Sequence, residues 1–165
     1  MLPLTTYLPN ASQLVYGCMG LGGGWNETPV GVADEQQTQQ IIETCLAHGI
    51  TVFDHADIYT FGKAEQAFGQ VLAKQPHLRE QMILQSKCAI RFADAVGPKR
   101  YDFSGQYITE SVEGILQRLS VEQLEILLLH RPDPLMDIRE VATTVEQLQQ
   151  QGKIRHIGVS NMTVR

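Results

Sequence analysis

No stretch of this chain approaches the roughly 18 to 20 consecutive apolar residues that cross a bilayer. The first ten residues, MLPLTTYLPN, carry neither a basic start nor a long apolar core, so no export signal is read and no membrane partner is expected. Cysteine is sparse. Cys18, Cys45 and Cys88 are odd in number, far apart and outside any CxxC or Cys/His zinc spacing, which argues against a disulfide framework and for a reducing cytoplasm. His48, His55, His77, His130 and His156 form no HxH or HExxH pair, so no metal is expected. Basic blocks are absent as well: 18 acidic side chains stand against 13 basic ones, and nucleic acid is not the expected partner. Repeats, low-complexity tracts and linker-like shifts of composition are missing, so residues 1–165 read as a single domain. What is present is a composition 43% apolar and 19% charged, enough to bury a core in a soluble globular protein.

Apolar periodicity divides the chain into short strands and amphipathic helices in alternation. The first strand is read near Gln13 to Gly17. After a glycine-rich loop, a helix is read with Asp34 as its cap, Gln37 as the capping-box partner and Ile41, Ile42, Cys45 and Leu46 as its stripe. Gly49 ends it, and ITVFD (50–54) has the length and β-branching of a buried strand. Ala64, Ala67, Phe68, Val71 and Leu72 share a helical face that ends by Pro76, and MILQSK (82–87) is the third strand. An irregular stretch, about Ala89 to Gly105, precedes a helix whose Ile108, Val112, Ile115, Leu116 and Leu119 line one side. LEILLL (124–129) is the fourth strand. Asp137 and Glu140 read as another capping box before Val141, Val145 and Leu148, Gly152 stops that helix, and IRHIGVS (154–160) is the fifth strand.

Strands separated by helices imply parallel pairing through right-handed crossovers, which leaves an open doubly wound sheet or a (β/α)8 barrel. The strands recur about every 36 residues, and eight such units need roughly 290 residues, within the range of the barrel. Polar groups stand at the C-terminal ends of the second to fifth strands: Asp54, Lys87, His130, then Ser160 with Asn161. In a parallel α/β sheet those ends lie on one side, where ligands bind. The 89–105 stretch follows a strand and so lies over the same side.

The glycine-rich MGLGGGW (19–25) is not a Rossmann fingerprint, because the third glycine of GxGxxG would fall at Trp25 and no helix begins there. Gly62-Lys63 is not a P-loop either, since Ala64 stands where Ser or Thr is needed and Asp57 where the first glycine belongs. The rim residues suggest other chemistry. A phenol with the ordinary pKa of about 10 is a poor proton donor at neutrality, but an adjacent ammonium favours the phenolate. Lys87 is the candidate cation for Tyr59, Asp54 would hold it charged and oriented, and the His130 imidazole would orient a substrate oxygen. Such a set suits proton donation to a carbonyl oxygen while a nicotinamide supplies hydride to the carbon.

These residues resemble a known family, the aldo-keto reductases. GITVFDHADIY (49–59) is similar to its first signature, QSKCA (85–89) to its lysine segment, SVEGILQRLSVEQLEILLLHRPDP (111–134) to its long helix-strand signature, and LQQQGKIRHIGVSN (148–161) to the segment ending in its Ser-Asn pair. The resemblance implies a (β/α)8 TIM-type barrel and reversible NADPH/NADP+-dependent reduction of small-molecule aldehydes and ketones. It implies Tyr59 as proton donor, Lys87 and Asp54 as its tuning pair, and His130 as the group positioning the carbonyl. Ser160 and Asn161 would hydrogen-bond the nicotinamide carboxamide, and Gly17, Cys18 and Met19, with Asp54 beside them, would line the nicotinamide-ribose end.

The sequence departs from the pattern at Glu125, where Asp is usual, and at Thr60 and Phe61, which precede Gly62 where a Tyr-Gly pair is common. Family members continue for roughly three more strands and helices, so the expectation is a barrel truncated after its fifth strand, with weak or no cofactor binding by the chain alone. Two other readings stand beside the reductase: a lysine aldolase forming a Schiff base at Lys87, and a non-catalytic interaction module.

Overall fold

The structure, a computed structural model, describes residues 4–163. Its elements follow in the order β1 (Val15–Gly17), α1 (Val32–Ala47), β2 (Val52–Asp54), α2 (Lys63–Lys74), β3 (Ile83–Cys88), β4 (Ile90–Arg91), β5 (Arg100–Tyr101), α3 (Gly105–Leu119), β6 (Leu124–Leu129), α4 (Ile138–Gln150) and β7 (Ile154–Val159). Five strands form one sheet in the order β1-β2-β3-β6-β7, every neighbouring pair parallel. This is the β/α progression expected from the sequence, with β1 and β7 at the two edges.

Side chains alternate across a strand, and the register sorts them into two faces. Tyr16, Phe53 and Leu84 are aligned, as are Ser86 with Leu127 and Cys88 with Leu129. Most of this face meets the helices, where Phe53 and Phe68 pack edge to face at 5.2 Å and join Ile42, Ile108, Ile115, Leu119, Leu127 and Leu148 in the main core. Full burial of each such side chain contributes about 1.5–3 kcal/mol. The opposite face carries Val52, Ile83 and Ile126, covered by Leu8 and Ala11 of the N-terminal segment in a smaller cluster. Its polar residues, Asp54, Gln85 and Lys87, lie further toward the C-terminal ends of the strands.

The helices approach closely where side chains are small. A Cβ on Gly69 of α2 would lie 2.0 Å from the Arg118 carbonyl oxygen of α3, so only glycine lets these two backbones meet there.

Several local expectations are corrected. Asp34 is not the cap of α1: the helix starts at Val32 after Gly31, and Asp34 reaches back to accept from the Gly31 N–H at 2.8 Å. Gln37 therefore has no capping-box role. Asp137 does cap α4, accepting from the Arg139 and Glu140 amides, but the Glu140 carboxylate accepts from the Gly105 N–H at 2.7 Å and so closes the start of α3 instead. The 89–105 stretch holds a small antiparallel hairpin, β4 with β5. Asp94 shapes its loop by accepting from Arg91, Arg100 and the Val96 and Gly97 amides. α2 ends at Lys74, ahead of Pro76 as expected, and Pro76 opens a 3-10 turn, Pro76–Gln81.

Candidate active site

The parallel ladder between β2 and β3 continues past the end of β2 and sets the site. The His55 N–H donates to the Gln85 carbonyl at 2.8 Å and the Asp57 N–H to the Lys87 carbonyl at 3.0 Å. The chain then turns, with the Tyr59 N–H donating to Ala56 O at 3.0 Å, and the turn brings the phenol back over Lys87. Beyond β6, the His130 N–H donates to Cys88 O at 3.1 Å, and beyond β7 the Ser160 N–H donates to Leu129 O at 2.9 Å. These paired backbone groups hold the polar rim in register.

Lys87 is buried and sits at the centre. Its ammonium lies 2.8 Å from the Asp54 carboxylate, 2.7 Å from the His55 carbonyl oxygen and 3.1 Å from the Tyr59 hydroxyl. Asp54 is further fixed by the Gln85 side-chain amide, which donates at 2.6 Å. The Tyr59 and His130 rings meet edge to face, centroids 6.2 Å apart. Burial, with the Lys87 and Arg131 charges, lowers the His130 pKa from 6.5 to about 4, so its imidazole is neutral at pH 7. Its Nδ1 is buried with no partner among the described residues.

The four residues expected around the carbonyl are thus brought together. Those expected around the cofactor lie at both edges of the sheet. Gly17 faces open space where a Cβ would project, and Met19 is exposed, whereas Cys18 is fully enclosed in the main core. At the other edge the Asn161 side-chain amide donates to the Ser160 hydroxyl at 2.8 Å and to the His130 carbonyl at 3.5 Å.

Three contributors had not been singled out. Gln85 lies two residues before Lys87 on the same face, so strand alternation would have marked it. The His55 acceptor is a backbone carbonyl, which carries no sequence signal. Behind the tyrosine turn, buried Glu65 accepts from Ser86 at 2.6 Å and from Arg118 at 2.8 Å. Nearby, burial and the Glu65 charge push the Asp57 carboxyl up to about 7.

A parallel β/α sheet with a lysine-bridged Asp–Tyr pair and a neutral histidine at its C-terminal ends defines the class, a β/α protein with a polar site at the C-terminal rim of its sheet. A model of the Aldo/keto reductase family matches residues 13–165, and the chain belongs to that family. Oxidoreductase YdhF of Escherichia coli (strain K12) is 46% identical over 161 residues, which cover 94% of this chain and 50% of that protein. The glycerol dehydrogenase AKR11B4 from Gluconobacter oxydans matches with a TM-score of 0.79 at 29% identity, over 93% of this chain and 46% of that one. An aldo-keto reductase from Klebsiella pneumoniae, solved in complex with NADPH, matches with a TM-score of 0.70 at 28% identity, over 93% of this chain and 47% of that one. The fold matches (β/α)8 barrel structures of the family, and the chain spans about half the length of the curated relatives it matches.

Proposed function

We propose that this chain carries the proton-donating site of a nicotinamide-dependent carbonyl reductase, with NADPH as the cofactor and a small aldehyde or ketone as substrate. The observation that carries the reading is the Lys87 ammonium, held by Asp54 and donating to the Tyr59 hydroxyl at 3.1 Å. The neutral His130 imidazole has an N–H to offer a carbonyl oxygen, which would orient that oxygen toward Tyr59. The phenol proton passes to this oxygen as it becomes an alkoxide, and the adjacent ammonium stabilises the negative charge left on the phenol oxygen. A reduced nicotinamide, when bound, supplies the hydride to the carbonyl carbon. The exposed Gly17 and Met19 edge and the Ser160–Asn161 pair fit such a group: the first is open, and the second offers a hydroxyl and an amide oxygen to a carboxamide. The oxidoreductase relatives and the NADPH-bound Klebsiella pneumoniae structure support the reading.

The Schiff-base alternative is disfavoured by the same nitrogen. All three of its N–H bonds point at acceptors, Asp54, His55 O and Tyr59, so in this arrangement it is a donor and not a free amine nucleophile. Borohydride reduction in the presence of a keto substrate tests this: no covalent adduct on Lys87 is expected, and a trapped adduct would restore the aldolase reading.

A further inference from the structure

Directly after Tyr59, two non-glycine residues occupy the left-handed region: Thr60 at φ 47° and Phe61 at φ 61°. That conformation is unfavourable for any residue with a Cβ and most so for a β-branched one. Such a pair persists only where its surroundings over-determine it, and the surroundings are specific. The buried Thr60 hydroxyl lies 3.0 Å from the Leu21 carbonyl oxygen and 2.7 Å from that of Tyr59, so its one proton is shared between the glycine-rich loop and the turn itself. The Phe61 ring lies between Trp25, at 5.5 Å and 76°, and Phe92, at 5.2 Å and 50°. Lys63, the first residue of α2, is buried and donates to the Asn26 side chain at 3.0 Å and the Thr28 carbonyl at 2.9 Å. On the same loop, a Cβ at Gly22 would come within 2.4 Å of the Lys63 carbonyl.

The glycine-rich loop after β1 is therefore tied to the tyrosine turn through Thr60, Phe61 and Lys63. The β4–β5 hairpin is tied to the same turn through Phe92. We infer that Phe61 is a positioning residue: with Thr60 it forms a strained latch that joins both loops to the Tyr59 turn and holds the phenol over Lys87. The energy stored in two left-handed residues is offset by contacts to two separate loops, so loosening either loop lets the turn relax away from Lys87. Trp25 is 49% exposed and Phe61 50%, so the ring cluster is a surface latch whose opening leaves the main core intact. Its consequence for turnover rests on the proposed role of Tyr59, but the latch itself does not.

Trp25 is the single tryptophan of the chain, and its fluorescence reports the latch. The test compares the parent with Phe61→Ala, Phe61→Tyr and Phe92→Ala by acrylamide quenching of Trp25 and by amide exchange. For Phe61→Ala the expected result is a several-fold rise in quenching together with faster exchange of the Tyr59 and Phe61 amides, which donate to Ala56 O and Ile58 O. Exchange within β2 and β3 stays at the parent rate, and Phe61→Tyr, which keeps the ring, restores the parent values. Should Phe61→Ala fail to fold, Phe92→Ala removes the other ring contact and is expected to speed exchange at the same two amides. Unchanged exchange at Tyr59 and Phe61 in the folded variants would overturn the proposal, whether or not Trp25 is freed. In a carbonyl-reduction assay of residues 1–165 joined to the remaining half of the Escherichia coli relative, Phe61→Ala lowers kcat more than it raises the cofactor KM. A folded chimera without tyrosine-dependent turnover would instead count against the reductase reading, leaving the latch to be judged by exchange.

Discussion

Lys87 donates to Tyr59 across 3.1 Å while its other two N–H bonds hold Asp54 and the carbonyl of His55. The phenol is thereby attached to a nitrogen that cannot swing away, because that nitrogen is anchored on both sides and its side chain is buried. Replacing the cation tests its chemical part. In the proposed reaction Lys87→Met is expected to lower kcat by about 10²–10⁴-fold, the range for losing effective general acid catalysis. Steady-state kinetics at several aldehyde concentrations, with residues 1–165 joined to the remaining half of the Escherichia coli relative, check this, and a change confined to KM would mean that Lys87 contributes binding alone.

The pH dependence of stability carries two opposing contributions. The His130 pKa falls from 6.5 to about 4 on folding, so the unfolded chain binds more protons between those values. Its contribution is therefore full above about pH 6.5 and is lost as pH falls through 4. Asp57 is the reverse: folding raises it from 3.8 to about 7, and its contribution is full below about pH 4 and lost as pH rises through 7. Chemical denaturation across pH 4–8 is expected to show Asp57→Asn gaining stability relative to the parent as pH rises through this window. His130→Asn is expected to lose the stability decline on the acid side.

Gly69→Ala is expected to destabilise the fold by about 1–3 kcal/mol, the usual cost of overpacking. The added methyl would meet Arg118 O at 2.0 Å, and both backbones are helical there, so neither yields easily. A denaturant midpoint shift measures it. Gly49→Ala provides the contrast, since its Cβ meets nothing within 4 Å and its φ of 72° imposes only backbone strain.

Glu125 links two strands rather than merely replacing an aspartate. Its carboxylate accepts from the Leu84 N–H at 2.8 Å and from Arg79 at 2.6 Å. Glu125→Ala leaves a backbone donor of β3 without that partner, at an expected cost of about 1–3 kcal/mol. Arg79→Ala, which leaves the Leu84 bond in place, is expected to cost less by the same denaturation measurement.

Helix faces were legible because burial writes itself into spacing: Ile108, Val112, Ile115 and Leu119 are all fully buried on α3. The rim was legible for a related reason, since a polar group directly after an apolar strand must lie at the strand's end. Caps were less so. An acid ahead of an apolar stripe fits either the cap itself or a position three residues inside it, and Asp34 takes the second. Glu140 has the spacing of a capping box yet bonds across to α3, a choice made by helix packing. Strands of two residues, such as β4 and β5, are too short to show alternation, and the hairpin is shaped instead by the Asp94 charge cluster. The left-handed turn at Thr60 and Phe61 had no signal at all, because neither residue favours that conformation and only contacts distant in sequence hold it.

The most direct measurement replaces the matching half of the Escherichia coli relative with residues 1–165 of this chain and follows aldehyde-dependent NADPH oxidation. Turnover by this chimera that falls by about 10²-fold or more in Tyr59→Phe, with the melting temperature held, is the predicted result. A folded chimera whose turnover is indifferent to loss of the Tyr59 hydroxyl would contradict the account.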